Sequence, residues 1–177
     1  LTVDGDNIYW IETRPSEGGR HVIVCRFNDG IIADVTPMPF NVRSTVHEYG
    51  GGAMAVSRGI VFFSNFSDQR LYRQESGGTP HPLTPPDAFR YADASIDWDR
   101  DLLFCVREDH TKSGEAVNSI VKLDLVAGGS GDTIIEGNDF YSSPRLSPNG
   151  KYLAWVTWNH PHMPWHGTEL WLAEVNQ

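Results

Sequence analysis

Tyr141-Ser142-Ser143-Pro144-Arg145-Leu146-Ser147-Pro148-Asn149-Gly150-Lys151-Tyr152-Leu153-Ala154-Trp155-Val156 holds the unit from which the whole chain is built. Its middle, Ser147 to Lys151, combines Pro, Asn and Gly in an order that makes a tight turn. The run after the turn is apolar, aromatic and β-branched, and a short segment precedes it, so two antiparallel strands are expected around one turn. After a longer loop, Glu169-Leu170-Trp171-Leu172-Ala173 adds a third strand.

The same grammar recurs upstream. Ile8-Tyr9-Trp10-Ile11, Ile60-Val61-Phe62-Phe63 and Leu102-Leu103-Phe104-Cys105-Val106 each follow a polar turn, and each is followed by a second alternating strand at Val22–Phe27, Arg70–Arg73 and Ser119–Leu123. The spacing of about 42 to 52 residues, with Gly-rich turns and no sustained 3.6-residue period, matches the blades of a β-propeller, each a four-stranded sheet around a common axis. With strands A to D counted outward from the axis, these segments are B and C. Weaker D strands are expected near Ile32–Val35, Pro80–Leu83 and Thr133–Ile135, and A strands at Ala53–Val56, Ala92–Ile96 and Ser143–Leu146. The expected fold class is all-β, a propeller fragment of about four blades spanning residues 1–36, 53–84, 92–136 and 143–177. On this reading the chain opens at the turn into strand B of its first blade and stops after strand C of its fourth. Both terminal blades are then incomplete, and their unpaired edges imply a piece of a larger propeller and leave room for a homo-oligomer. A small self-contained β-sandwich is the competing architecture.

Composition narrows the function classes. The chain has 177 residues, with 14 Lys and Arg against 23 Asp and Glu, a formal charge of −9. Scattered basic residues on an acidic chain argue against nucleic acid as a partner. No apolar stretch approaches the ~20 residues of a membrane span. Cys25 and Cys105 both sit in apolar runs, as buried free thiols do, which suits a reducing compartment. An intracellular place, cytoplasm or the stroma of a plastid or other organelle, is the expectation.

Strands that alternate in direction put the B-C and D-A loops on one face, and those are the long, chemically rich ones: Arg14 to Arg20, Thr36 to Gly52, Glu108 to Asn118, Glu136 to Ser142 and Trp158 to Thr168. Binding groups concentrate on loops carried by a rigid scaffold, so this face is expected to be the working one. Within it, Val46-His47-Glu48-Tyr49-Gly50-Gly51-Gly52 runs straight into a strand. It precedes no helix and lacks the Lys of a phosphate loop. Two readings stay open. Either it is a tight approach to the crowded axis with His47 and Glu48 bonded locally, or Arg43, His47, Glu48 and Tyr49 face a central cavity or partner. In Trp158–Gly167, His160, His162 and His166 lack the helical spacing or Cys neighbours of a metal site. With Trp158, Trp165 and two prolines the loop reads instead as a rigid lid or docking surface.

No catalytic constellation is expected. The nearest string to a nucleophile elbow, Gly128-Gly129-Ser130-Gly131-Asp132, ends in Asp and reads as a turn. The carboxylate pairs Glu108/Asp109 and Asp99/Asp101 read as turn residues too.

Two stretches carry a resemblance. Phe40-Asn41-Val42-Arg43 with His47-Glu48-Tyr49-Gly50-Gly51-Gly52-Ala53, and Tyr141–Lys151 with Asn159-His160-Pro161, Met163-Pro164-Trp165 and Gly167-Thr168-Glu169-Leu170-Trp171, resemble the propeller of prolyl oligopeptidase-family serine peptidases, on the acylaminoacyl-peptidase or dipeptidyl-aminopeptidase branch. The Ser-Pro-Asn-Gly-Lys turn is shared more widely with TolB-like propellers. The resemblance implies a seven- or eight-bladed propeller ahead of a C-terminal α/β-hydrolase domain that holds the catalytic triad and is absent from this sequence. It implies no cofactor and no catalytic residue here. The implied role is to cap the hydrolase domain and gate short peptides, with Arg43, His47, Glu48, Tyr49, Tyr141, Trp158, His160 and Trp165 on the gating or domain-facing loops. The alternative is a stand-alone TolB- or WD-type propeller that binds a protein or ligand. Against the WD type, Trp98-Asp99 is the only such dipeptide and sits in an A-B turn.

Overall fold

The computed structural model describes residues 1–175. Fifteen strands form four separate antiparallel sheets, each built in chain order from neighbouring strands. The first holds β1 (Thr2–Asp4), β2 (Asn7–Arg14), β3 (Arg20–Arg26) and β4 (Ile32–Asp34). The second holds β5 (Met54–Ser57), β6 (Ile60–Ser64), β7 (Leu71–Gln74) and β8 (His81–Pro82). In the third are β9 (Phe89–Asp97), β10 (Leu102–Asp109), β11 (Val117–Asp124) and β12 (Gly128–Ile135). The fourth holds β13 (Phe140–Leu146), β14 (Tyr152–Trp158) and β15 (Glu169–Glu174). The first strands of successive sheets touch, β1 on β5, β5 on β9 and β9 on β13. That is the arrangement of propeller blades with their A strands at the axis. Among the described residues no helix is long and apolar enough to cross a membrane.

Side chains alternate across a strand, and here the alternation glues blade to blade. Val61 and Phe63 of β6 point back to Tyr9, Ile23 and Cys25 of the first blade. Phe62 between them points forward to Leu103, Cys105, Val121 and Leu123 of the third. In β10, Leu103 and Cys105 face the second blade, whereas Phe104 and Val106 face Tyr141, Leu153 and Trp155 of the fourth. The near-continuous apolar runs of β6 and β10 therefore have two buried faces, one for each neighbour. Both cysteines are free and buried, and burial raises the thiol pKa of each, which keeps them as inert core thiols. The outer strand β15 is exposed throughout, with Leu170 at 78%.

Three expectations are corrected. The first blade has an A strand, because Thr2, Val3 and Asp4 pair with Tyr9, Ile8 and Asn7 across the first turn; among the described residues only the fourth blade has fewer than four strands. Gly128 to Asp132 is strand rather than turn. A Cβ on Gly128 would lie 2.1 Å from the Leu83 carbonyl oxygen, so glycine there admits the close approach of the second blade. Glu108 and Asp109 close strand β10 instead of occupying a turn, with Glu108 paired across to Asn118.

The connection from blade one to blade two, residues 35–53, runs over the axial end of the later blades. Val42 bridges to Asn65, the Ser44 hydroxyl donates to the Tyr91 carbonyl at 2.8 Å, and the Thr45 amide donates to Gln69 at 2.8 Å. His47 and Glu48 take left-handed backbone angles, φ 56° and 64°. This uncommon conformation for side-chain-bearing residues turns the chain back toward β5. Its end is pinned at the axis: the Asp93 carboxylate accepts the Gly52 amide at 2.6 Å and the Ser143 amide at 2.9 Å. A Cβ on Gly52 would lie 2.5 Å from that same carboxylate oxygen, which accounts for the last glycine of the loop.

Candidate functional site

On the face of the B-C and D-A loops lies a cleft of about 1040 Å³ between the third and fourth blades. Five parts of the chain line it. The His47–Tyr49 turn comes from the loop after blade one, Arg90, Glu108 and Asn118 from the ends of β9, β10 and β11, Glu115 and its neighbours from the β10–β11 connection, residues 136–140 from the passage into blade four, and Trp158, His160 and Met163 from the end of β14 and the loop after it.

Glu108 is the hub. Phe104, Val106 and Glu108 share one face of β10, and that face is buried, so the chain carries a carboxylate at a position otherwise filled by core. The side chain is 5% exposed. One oxygen accepts the His47 amide at 3.0 Å; the other accepts from Arg90 at 3.3 Å and lies 2.8 Å from His110 Nε2. Such a charge is tolerated because it is fully partnered. Arg90 extends the network to Glu48 at 2.7 Å and to the Thr45 carbonyl at 3.0 Å. The Glu48 carboxyl is held below its ordinary range by the hydrogen bond and charge of Arg90. The unusual loop is thereby anchored to the rim through its own backbone.

The wall opposite is aromatic. Phe140 stacks on Trp158 with centroids 5.4 Å apart, His47 meets both edge-on at 5.3 Å, and His160 lies 4.9 Å from Phe140. Asp139 ties the two loops of blade four, accepting the His160 amide at 2.8 Å and lying 3.1 Å from its ring Nδ1. The bond from that amide is the main reason its carboxyl sits below the usual range. Asn118 donates through Nδ2 to the Asp139 carbonyl at 2.8 Å.

Burial lowers the pKa of His47, opposed by Glu108, Asp93 and Asn118. A histidine kept neutral by the fold leaves the unfolded chain to take up the proton first. Its contribution is intact above about pH 6.5 and is lost as pH falls through that unfolded value toward the lower folded one. His47→Gln is therefore expected to flatten the fall in urea-unfolding free energy just below neutrality, by a slope of at most about 1.4 kcal/mol per pH unit. An unchanged profile would place the acid sensitivity elsewhere.

The cleft brings together His47, Glu48, Tyr49, Trp158 and His160. It does not take in Arg43, Tyr141 or Trp165. Arg43 lies over the Phe66 ring at 4.9 Å. Tyr141 belongs to the core at 1% exposure, with its hydroxyl accepting the Asn138 amide. Trp165 projects outward at 70% exposure against His166. Both open readings of the His47–Tyr49 turn hold in part, since it is locally bonded and also lines the cleft. Among the described residues no group of three or more His, Cys, Asp or Glu is arranged to hold a metal. Sequence reasoning passed over Glu108, Arg90, Asn118, Asp139 and Phe140. The available signal was the charge at Glu108 two residues beyond Val106, a break in the apolar alternation of β10.

The lining contains five carboxylates (Glu48, Glu108, Glu115, Glu136, Asp139) against one guanidinium, and no Ser, Thr or Cys. Such a surface can bind and orient a ligand; it offers no hydroxyl or thiol nucleophile beyond the Tyr49 phenol.

No protein-family model matches the chain, and no curated protein does. Solved structures do. A puromycin hydrolase is 34% identical over 99% of this chain at a TM-score of 0.90. A Mycobacterium tuberculosis puromycin-hydrolysing peptidase is 39% identical over 99%, at 0.87. The chain spans about 30% of the length of each. TolB from Acinetobacter baumannii, at 17% identity over 88% of this chain and 36% of its own, with a TM-score of 0.57, shares the fold alone. Over nearly its whole length, then, the chain matches a propeller part of peptidases of the prolyl oligopeptidase family.

Proposed function

We propose that this chain is the non-catalytic propeller portion of a serine peptidase, that it caps an α/β-hydrolase domain, and that it gates the access of short peptides. The observation that carries the reading is the match of nearly the entire chain to less than a third of peptidases that hydrolyse puromycin. The cleft supports it, since a rigid concave surface with aromatic walls and carboxylate rims can hold a small substrate without chemistry of its own. Excluding large polypeptides from a closed site is likewise a task for a stiff scaffold. The finer choice of substrate, acyl-peptide or dipeptide, belongs to the same proposal.

The 177-residue chain alone is expected to leave acyl-peptide and dipeptide chromogenic substrates, and puromycin, unhydrolysed. Turnover proportional to pure protein would overturn this. Gating is tested in the whole protein that carries the chain, by replacing residues 160–167 with a short Gly-Ser connection. The size limit of cleaved peptides is expected to move upward while the smallest substrate is still cleaved. An unchanged limit would remove the gating role from this loop.

A further inference from the structure

Residues 46–50 form a turn that the fold holds against its own backbone preference. The Tyr49 amide donates to the His47 carbonyl at 2.8 Å, the bond of a three-residue turn, and Glu48 at its centre has φ 64°, the sign of the rare, strained form. His47 before it, at φ 56°, is left-handed as well. Strain of this kind persists only where the surroundings over-determine it, and it clusters at ligand clamps. Here the pins are the buried Val46, the Glu108 carboxylate on the His47 amide, and Arg90 on Thr45 and Glu48. Gly50 closes the turn at φ 90°, where a Cβ would lie 2.8 Å from the Ser44 carbonyl oxygen. None of these pins uses the side chain of Tyr49. It stands 59% exposed in the cleft lining, with its ring 5.8 Å from that of His47, and no described residue hydrogen-bonds its phenol. Partial burial and the Glu108 charge raise its pKa, so near neutrality it is an O–H donor with no acceptor.

The cleft limits what that acceptor is. Five carboxylates line it against one guanidinium, and Arg90 is already committed, so an anionic acceptor is repelled and a neutral one is required. The main-chain carbonyl is the neutral acceptor that every peptide carries. Val117, at 51% exposure, and the half-buried Phe140 and Met163 supply apolar surface in the same lining. We propose that Tyr49 is the residue by which the cleft reads its ligand: the phenol donates a hydrogen bond to a main-chain carbonyl of a short, uncharged peptide segment whose apolar side chain packs on Val117, Phe140 and Met163. The proposal rests on the gating reading for the ligand class alone; the strained turn and its unpartnered phenol supply the contact. No covalent step at Tyr49 is involved.

Titration calorimetry on the 177-residue chain at low ionic strength tests it with two probes: N-acetyl-alanyl-phenylalaninamide and the corresponding free acid, N-acetyl-alanyl-phenylalanine. Saturable binding of the amide is expected, with the acid several-fold weaker. Tyr49→Phe keeps the ring and removes the donor. It is expected to weaken the amide about five- to tenfold, the scale of one neutral hydrogen bond, with an unchanged melting temperature, because the phenol supports nothing in the fold. Tyr49→Ala also removes the ring and is expected to weaken binding further. No saturable binding, a Tyr49→Phe variant that binds as the unaltered chain does, or an acid that binds as tightly as the amide would each overturn the proposal. So would reduced affinity in Tyr49→Phe accompanied by a lowered melting temperature, since the phenol would then be a structural group. The gating assay reads a size limit in the whole protein and is indifferent to this contact, so each reading can fail without the other.

Discussion

Replacing Glu108 by alanine is expected to cost about 3–5 kcal/mol of unfolding free energy, the range for breaking a buried charge pair from one side. The carboxylate receives the His47 amide, the Arg90 guanidinium and the His110 ring, and each loses its partner at once. Arg90 is left between the Thr45 carbonyl and the exposed Glu48, so part of its charge is screened by solvent and the effect belongs near the lower end. Glu108→Gln keeps shape and one acceptor, and about half the loss is expected. Urea unfolding of both variants checks this. A change below about 0.5 kcal/mol for the alanine variant, the scale of an ordinary surface substitution, would show that the network is not holding the loop. Because His47 sits in left-handed backbone, release of its amide should also loosen the His47–Tyr49 turn, visible as faster amide exchange at Glu48 and Tyr49.

The second large effect is expected at the axis. Asp93→Ala removes one side chain that joins three blades, through the Gly52 amide of the second and the Ser143 amide of the fourth. It also places alanine at φ 59°, a conformation that costs a Cβ-bearing residue about 1–2 kcal/mol and that Asp tolerates better. With two charge-assisted bonds lost, a destabilisation of about 3–4 kcal/mol is expected. Asp93→Asn retains the backbone preference and one acceptor and should recover roughly half. If alanine and asparagine behave alike, the staple contributes little and the blades are held by their apolar faces alone.

Local pattern was enough for the blades. Phe62 and Phe63, neighbours in sequence, serve cores on opposite sides of one sheet, and a strand with two buried faces must be apolar at consecutive positions. That requirement is written into the sequence, as are the turns, because Pro, Asn and Gly act over four residues. The strand ends were less legible. Thr2–Asp4 is too short to show alternation, and the glycines of β12 resemble a loop until Leu83 of the neighbouring blade is seen pressing on Gly128.

What the sequence determined by itself, then, is the tandem of four-stranded sheets and the face that carries the long loops, since both follow from contacts within a few residues or from strand alternation. Only the tertiary structure decided the composition of the cleft. His47, Glu108, Asn118 and Trp158 are far apart along the chain and meet because the first inter-blade loop crosses the second blade to reach the third and fourth. The sequence order of the loops does not encode that crossing. It depends on how the twisted sheets fan about a common axis, and with it on which carboxylate is buried against which amide.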